Sequence, residues 1–235
     1  MNVFPFDHAS ARKQIAVMLR MQDEMNKMVA EDWRTRGFAW HRAIYIEAGE
    51  FLEHLGTWKW WKKGSPDMAQ AKMELVDIWH FALSMMMVQA NHSIDLDTLA
   101  ASIATRLQGY CRETDLVTDE NAFSKPEVVS FCNEQVDRLV AIAGDRGFNL
   151  FAFVNLLGLC SMDFDSLFRS YVGKNMLNRF RQSNGYKEGT YIKIWAGEED
   201  NVHLERILSG LPTDESLPFA LYSSLESTYT LLCVA

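Results

Sequence analysis

The spacing of apolar side chains constrains the fold of this chain more than any other feature of its sequence. Apolar residues recur at intervals of three and four, as in the series Ile15, Met18, Leu19, Met25 and Met28. That interval places them on one face of an α-helix. Glycine and proline, which interrupt helices, are scarce, with 13 and 5 residues. The alternating apolar pattern of a strand pair is not evident, so the sequence predicts an all-α fold.

Composition and charge limit the partners that this chain can bind. The formal net charge is −8, which disfavours broad nucleic-acid binding because that needs many basic groups against phosphate. A small anionic ligand remains compatible, since metal ions and a local basic cluster can reverse the sign. The sequence has neither a signal-like start nor an apolar stretch of about 20 residues. We therefore expect no nucleic-acid partner, no membrane partner and a cytoplasmic location.

Four cysteines are scattered along the chain and never form a Cys-x-x-Cys pair. This spacing favours reduced thiols in the core over a zinc site or a disulfide framework.

Two helix starts are visible as capping patterns. Ser65-Pro66-Asp67 combines a capping serine with a proline in the first turn, and it predicts a helix that runs to about Gln89. Ser124, followed three residues later by Glu127, resembles a capping box in front of another long helix.

The second half of the chain predicts further helices. Gly144 to Gly147 should end the helix that begins near Ser124. The remaining helices are expected at Phe148 to Cys160, Phe164 to Arg181, Glu198 to Leu208 and Glu215 to Leu232. We expect one domain over residues 1–235, with a long loop or a seam between Asp115 and Lys125.

Two pairs of acidic residues carry the clearest chemical signal. Glu47 and Glu50 share a helix face, Glu53 continues it, and Glu74 and Asp77 repeat the spacing on the next helix. An antiparallel pairing of the two helices brings both pairs to one point. Clustered carboxylates repel one another unless cations neutralise them, and their hard oxygens suit Mg²⁺ or Mn²⁺. A solvated acidic face is the alternative, and the residues alone leave both interpretations open.

Carboxamides and tryptophans occur near these acids in the sequence. Gln22 and Asn26 lie in the segment Leu19–Asn26, where an ordinary surface position on an amphipathic helix is the alternative to a binding role. The segment Trp58–Lys62 has three tryptophans in four residues. An indole offers a flat face for a base, whereas a helix corner that covers the core is the alternative.

A basic segment lies further along the chain. Lys174, Asn178 and Arg181 fall at helical spacing on one face, and Tyr186 and Lys187 follow on a turn. A cationic face in an acidic protein is suited to a polyphosphate, because arginine can bind two oxygens at once. A solvated basic helix is the alternative.

In combination, these segments resemble the dimeric dUTPases of the all-α nucleoside triphosphate pyrophosphatase superfamily. The acids resemble its Glu-x-x-Glu and Glu-x-x-Asp metal signature. Leu19–Asn26 resembles its Leu-x-x-Gln-Asp-x-x-Asn stretch, and Trp58–Trp61 its Trp-Lys-x-Trp segment. Tyr171–Lys187 resembles its Lys-x-x-x-Asn-x-x-Arg-Gln-x-x-Gly-Tyr motif. The resemblance spans about residues 19–81 and 171–201.

The resemblance implies a helical bundle of the dimeric dUTPase type, a homodimer, and hydrolysis of dUTP and dUDP to dUMP. It implies that Mg²⁺, or alternatively Mn²⁺, is bound by Glu47, Glu50, Glu74 and Asp77, with Glu47 or Glu50 orienting the attacking water. It assigns the uracil and sugar to Gln22, Asn26 and Trp58, and the phosphates to Lys174, Asn178, Arg181, Tyr186 and Lys187.

Two further expectations concern the nucleotide pocket. His80 is placed beside the nucleotide, although a packed structural histidine is an equal alternative. The segment Tyr171–Asn201 is expected to close over a bound nucleotide.

Two other functions stay open from the sequence. One is a sibling enzyme with another base preference, such as a dCTPase or a MazG-like pyrophosphatase. The other is a nucleotide-binding protein that has kept the fold and lost catalysis. The presence of all four acids and of the basic helix favours an enzyme.

Overall fold

The computed structural model describes residues 4–62, 64–90, 94–117, 119 and 121–234. Helices account for nearly all of its regular structure, which confirms the predicted all-α fold. The chain divides into two compact units, the first unit Met1–Leu167 and the second unit Phe168–Ala235. This division does not coincide with the seam expected between Asp115 and Lys125, and a single domain stays a prediction.

The first unit is built from six helices and the start of a seventh among its described residues. They are α1 (His8–Val29), α2 (Trp40–Leu55), α3 (Met68–Gln89), α4 (Leu96–Cys111), α5 (Pro126–Gly144), α6 (Leu150–Leu159) and α7 (Phe164–Ser183). Short 3-10 helices occur at Trp33–Thr35 and Ala122–Ser124. The division between the units falls inside α7.

The helices α2 and α3 pack against each other as an antiparallel pair within the first unit. The N–H of Asp67, just before α3, donates to the carbonyl of His54 near the end of α2 at 2.9 Å. Trp79 of α3 is fully buried and stacks on Phe153 of α6 with ring centroids 5.2 Å apart. Burial of such side chains stabilises the fold by roughly 1.5–3 kcal/mol each, so the core fixes the direction in which the α2 and α3 polar faces point.

Both capping predictions are wrong in detail. The cap of α3 is Asp67 rather than Ser65, because Asp67 directly precedes the first helical residue and its carboxylate accepts from the N–H of Gln70 at 3.1 Å. Ser124 belongs to a 3-10 turn, where its hydroxyl donates to the carbonyl of Asn121 at 2.7 Å. The N-cap position of α5 is therefore occupied by Lys125.

The second unit continues α7 and adds a hairpin and two helices. The additional elements are β1 (Ile194–Trp195), β2 (Glu198–Glu199), α8 (Asp200–Ser209) and α9 (Leu217–Tyr229), followed by a π-helical turn at Thr230–Val234. Ala196 and Gly197 turn the hairpin with φ angles of 47° and 91°. The helix predicted from Glu198 starts at Asp200 because Glu198 and Glu199 pair with β1.

Aromatic rings form the core of the second unit. Phe180 is buried, and its ring meets those of Tyr191, Trp195, Tyr222 and Tyr229 edge to face at centroid distances of 5.4–6.2 Å. Such pairs add about 0.5–1.5 kcal/mol each beyond their area burial.

Two sequence expectations concern the whole chain. No single helix in the described residues is long and apolar enough to cross a membrane, although α6 and α7 taken together reach the necessary length and apolar composition. All four cysteines are free thiols, and Cys111, Cys132 and Cys160 are buried whereas Cys233 is partly exposed. The prediction of reduced core thiols is confirmed for those three.

Candidate metal and nucleotide site

Three carboxylates from α2 and α3 converge in the first unit. Glu47, Glu50 and Glu74 each offer an oxygen, and these oxygens all lie within 4.8 Å of one another. Glu74 is buried, Glu47 is half-buried and Glu50 is exposed. Hard oxygen donors at this spacing suit a divalent cation such as Mg²⁺. The antiparallel helix pair thus brings Glu74 next to Glu47 and Glu50, both of which precede it by more than 20 residues in the sequence.

The fourth predicted ligand, Asp77, lies one turn after Glu74 on α3 and is half-buried. Its charge acts on Glu47, so it belongs to the same electrostatic cluster. His80 places Nδ1 2.8 Å from the carbonyl oxygen of Val76 and 3.9 Å from Oδ1 of Asp77. The short contact orients the ring of His80 along α3 next to the acids.

A histidine that the sequence interpretation missed borders the cluster. His54, near the end of α2, places Nε2 3.3 Å from Oε1 of Glu74. The signal was present in the sequence, because His54 follows Glu50 by four residues and so shares its helix face.

The proximity of these acids changes the proton affinity of Glu47. Burial raises the pKa of Glu47 to about 7, and the charges of Asp77, Glu50 and Glu74 together with a hydrogen bond to Glu74 act in the same direction. Burial is the largest cause of this rise, and the neighbouring negative charges add to it. The donor set therefore fits a cation, which would remove this repulsion.

Removal of the Glu47 charge is expected to stabilise the metal-free protein. The pKa of Glu47 is about 7 in the folded protein and 4.5 by its ordinary value, so its contribution is present at low pH and is lost as pH rises through about 7. With solvent screening, Glu47→Gln should raise the free energy of unfolding by about 1–2 kcal/mol at about pH 8 in a chelator. Urea unfolding at about pH 3.5 is the control, where the difference in the free energy of unfolding should vanish because Glu47, with an ordinary pKa of 4.5, holds its proton in both the folded and the unfolded state. An equal increase in the free energy of unfolding at both pH values would contradict this explanation.

Gln22 and Asn26 are buried side by side on α1. Their exposed fractions are 5% and 7%, so the interpretation of an ordinary surface position is wrong. Nε2 of Gln22 donates to Oδ1 of Asn26 at 3.1 Å, and Nδ2 of Asn26 donates to Oγ of Ser84 on α3 at 2.9 Å. Ser84 was missed because a serine in an apolar helix gives no local signal of its partner on another helix.

Asp23, which directly follows Gln22, anchors α1. Its carboxylate accepts from Nε1 of Trp33 at 3.1 Å and from Arg34 at 2.8 Å, and it pairs with Lys27 at 2.7 Å. Burial acts to raise the pKa of Asp23, but the hydrogen bonds and charges of Lys27 and Arg34 outweigh burial and hold it below its usual range. These bonds hold α1 in the rotation about its own axis that buries Gln22.

The tryptophan segment after α2 lies at the surface. Trp58, Trp60 and Trp61 are exposed by 44%, 89% and 58%, so the alternative that one of them covers the core is wrong. Nε1 of Trp58 donates to Oε2 of Glu53 at 3.1 Å, and Nζ of Lys59 bonds to the other oxygen of Glu53. These bonds explain why Glu53, although it continues the acidic stripe, is not part of the carboxylate cluster.

The basic residues of α7 are described within the second unit. Lys174, Asn178 and Arg181 are half-buried along one helix face, whereas Tyr186 and Lys187 are exposed beyond the helix end. Because the three helical residues are only half-buried, they differ from a fully solvated basic face.

Arg181 has an ion-pair partner that the sequence interpretation missed. Nε and Nη2 of Arg181 donate to the two oxygens of Asp200 at 2.7 and 2.8 Å, and the hydroxyl of Tyr191 donates to Asp200 at 2.8 Å. The carboxylate of Asp200 is fully buried. These bonds connect the end of α7 to the start of α8.

Comparison with known protein families agrees with this geometry. A family model described as dUTPase matches residues 14–186. The chain belongs to the all-α dimeric dUTPase family. A search of curated protein sequences gave no match to the chain. The family is one of nucleotide pyrophosphatases that usually need a divalent metal, and the carboxylate cluster is where this chain could bind one.

The dUTPase match extends beyond the segments that carried the resemblance. It includes residues 91–160, where the sequence predicted only helices, and it ends at Tyr186. Lys187 and the helices α8 and α9 lie outside it. Asp200, the partner of Arg181, is therefore a feature of this chain beyond the matched region.

Proposed function

We propose that this protein hydrolyses dUTP to dUMP and pyrophosphate, and also accepts dUDP, with Mg²⁺ bound by Glu47, Glu50, Glu74 and Asp77. The observation that carries the proposal is the convergence of three of these carboxylates within 4.8 Å in a chain of the dUTPase family. A homodimer in the cytoplasm and Mn²⁺ as an alternative metal are parts of the same proposal.

The acids have different proposed roles because their burial differs. A bound divalent cation neutralises phosphate charge and polarises phosphorus and water. Glu74, buried and beside His54, supports the ligand set from within the helix pair. Glu50 is exposed and Glu47 half-buried, so these two are accessible for orienting the attacking water. Chemistry of this type depends mainly on positioning and charge neutralisation.

The proposed base pocket uses groups of the first unit. The carboxamides of Gln22 and Asn26 can pair with the donor and acceptor edge of uracil. The exposed indole of Trp58 offers a flat apolar face to the nucleotide. His80, which is half-buried next to the acids, is proposed to line the same pocket.

The phosphate-binding part of the proposal rests on the basic motif of α7. Lys174, Asn178, Tyr186 and Lys187 are proposed to hold phosphate oxygens. Asp200 engages Nε and Nη2 of Arg181, so the proposed phosphate contact of Arg181 uses Nη1. A guanidinium has five N–H donors and can serve both partners.

Product analysis tests the proposed function directly. The purified protein is incubated with Mg²⁺ and, separately, with dUTP, dCTP, dTTP or UTP, and the products are separated by chromatography. We expect selective formation of dUMP and pyrophosphate from dUTP, and its abolition by a chelator. Equal or faster hydrolysis of dCTP would overturn the base assignment, and no turnover of any nucleotide would overturn the enzymatic function.

A further inference from the structure

The buried hydrogen bonds between α1 and α3 run in one direction. Oγ of Ser84 lies 3.1 Å from the carbonyl oxygen of His80, one turn earlier on α3, and donates its proton there. A carbonyl oxygen can only accept, so the hydroxyl of Ser84 has only lone pairs left for a second partner. That partner is Nδ2 of Asn26, at 2.9 Å.

The direction of the Ser84 hydrogen bond determines the orientation of both carboxamides. Since Nδ2 of Asn26 faces Ser84, its Oδ1 faces Gln22 and accepts from Nε2 at 3.1 Å. The nitrogen and oxygen of a carboxamide diverge from one carbon, so Oε1 of Gln22 is directed away from Asn26. Rotation of either amide by a half turn would place two donors or two acceptors against each other in a buried setting. This should disfavour the rotated orientation by roughly a factor of 10 to 100 in the equilibrium between the two orientations.

We propose that Ser84 is a positioning residue that determines base selectivity by fixing the orientation of Asn26 and Gln22. This inference rests on the proposed function, in which those carboxamides bind the base. Uracil carries a hydrogen on N3, which pairs with an acceptor such as Oε1 of Gln22. Cytosine carries a lone pair on N3 and an amino group beside it, so the same fixed amide opposes it with an acceptor.

Ser84→Ala tests the inference through a ratio of rates. With Mg²⁺ present, kcat/KM is measured for dUTP and for dCTP on the wild-type protein and on the variant. Without the hydroxyl, Asn26 loses the group that fixes its orientation, and both amides can turn to suit cytosine. We expect the dUTP to dCTP ratio to fall by roughly 10-fold or more. The ratio does not depend on how much of each preparation is active.

The chain contains a matched control on other elements of the first unit. Oγ1 of Thr114 lies 3.1 Å from the carbonyl oxygen of Tyr110 and 2.9 Å from Oδ1 of Asn155, so its one proton is shared between two acceptors, and Nδ2 of Asn155 donates to Gln135 at 3.2 Å. Thr114→Val removes a buried hydroxyl from this second hydroxyl–Asn–Gln chain, which includes none of the proposed site residues. We expect the dUTP to dCTP ratio of this variant to equal that of the wild type.

The outcomes separate the two proposals. A wild-type protein that turns over dUTP while Ser84→Ala keeps the wild-type ratio would overturn the role of Ser84 and leave the proposed function standing. A comparable fall in Thr114→Val, or a wild-type ratio near one, would also overturn it. If the wild-type protein hydrolyses neither nucleotide, both the proposed function and the inference built on it are wrong.

Discussion

Glu74→Gln is expected to lower the kcat of dUTP hydrolysis by at least about 1000-fold, since a metal site supplies several kcal/mol of charge stabilisation. Glu74 is the most buried of the three converging carboxylates, and it contacts both Glu47 and His54. Glutamine keeps the shape of the side chain and removes one repelling charge, so the fold should be retained. The measurement is kcat at saturating dUTP over a titration of Mg²⁺, together with the thermal stabilisation that Mg²⁺ confers.

The matched control is a carboxylate on a helix outside the cluster. Glu134 of α5 is exposed and pairs with Arg138 one turn later at 2.6 Å. Glu134→Gln removes the same charge and should change kcat by less than about 2-fold, because an exposed pair contributes little. Comparable losses in Glu74→Gln and Glu134→Gln would contradict a specific metal site at Glu74.

Asp200→Asn is expected to lower the free energy of unfolding of the second unit by about 3–5 kcal/mol, as is typical when one partner of a buried ion pair is removed. The substitution leaves the guanidinium of Arg181 without its charged partner, and it weakens the bond from the hydroxyl of Tyr191. Urea unfolding combined with hydrogen exchange over residues 168–234 measures the effect where it should occur.

The neighbouring residue supplies the control for Asp200. Glu199 forms an exposed pair with Lys193 at 3.3 Å, so Glu199→Gln should cost less than about 1 kcal/mol. A loss in Asp200→Asn no larger than that of Glu199→Gln would show that the buried pair adds no stability.

The same pair gives the second unit a defined acid sensitivity. Burial acts to raise the pKa of Asp200, but the hydrogen bonds from Arg181 and Tyr191 outweigh burial and hold the pKa below its ordinary value of 3.8. The contribution of Asp200 is therefore complete above the ordinary pKa and is lost as pH falls through the lower, folded-state pKa. The difference in the free energy of unfolding between the wild-type protein and Asp200→Asn should therefore become smaller as the pH is lowered through that range.

Periodicity was enough to predict the fold class and most helices. The apolar spacing is a local property, and it located α3, α5, α6 and α7 to within a few residues. Helix ends depend on which of several polar groups reaches a particular N–H. Asp67 displaced Ser65, and the hydroxyl of Ser124 bonded to a carbonyl within its own turn, because such competition is decided by backbone geometry.

The candidate site was predictable where its members share a helix face. Glu47 with Glu50, and Glu74 with Asp77, are related by helical spacing, so each pair could be recognised before the structure was known. Partners on different helices gave no such signal. The hydrogen-bond partners of Ser84 and Asp200 are determined by tertiary packing. The apolar sequence around Ser84 did not indicate its bond to Asn26, and the position of Asp200 at a helix start did not indicate its bond to Arg181.

The surface segment Trp58–Lys62 gives this protein a built-in optical probe. Its three indoles are exposed, whereas Trp33, Trp79 and Trp195 are fully buried and Trp40 is half-buried. Water-exposed indoles emit at longer wavelength and are reached by a collisional quencher such as acrylamide, while buried indoles are shielded. The most quenchable, red-shifted part of the emission therefore comes mainly from one short segment of the chain, so a nucleotide that stacks on Trp58 should change the fluorescence without any label.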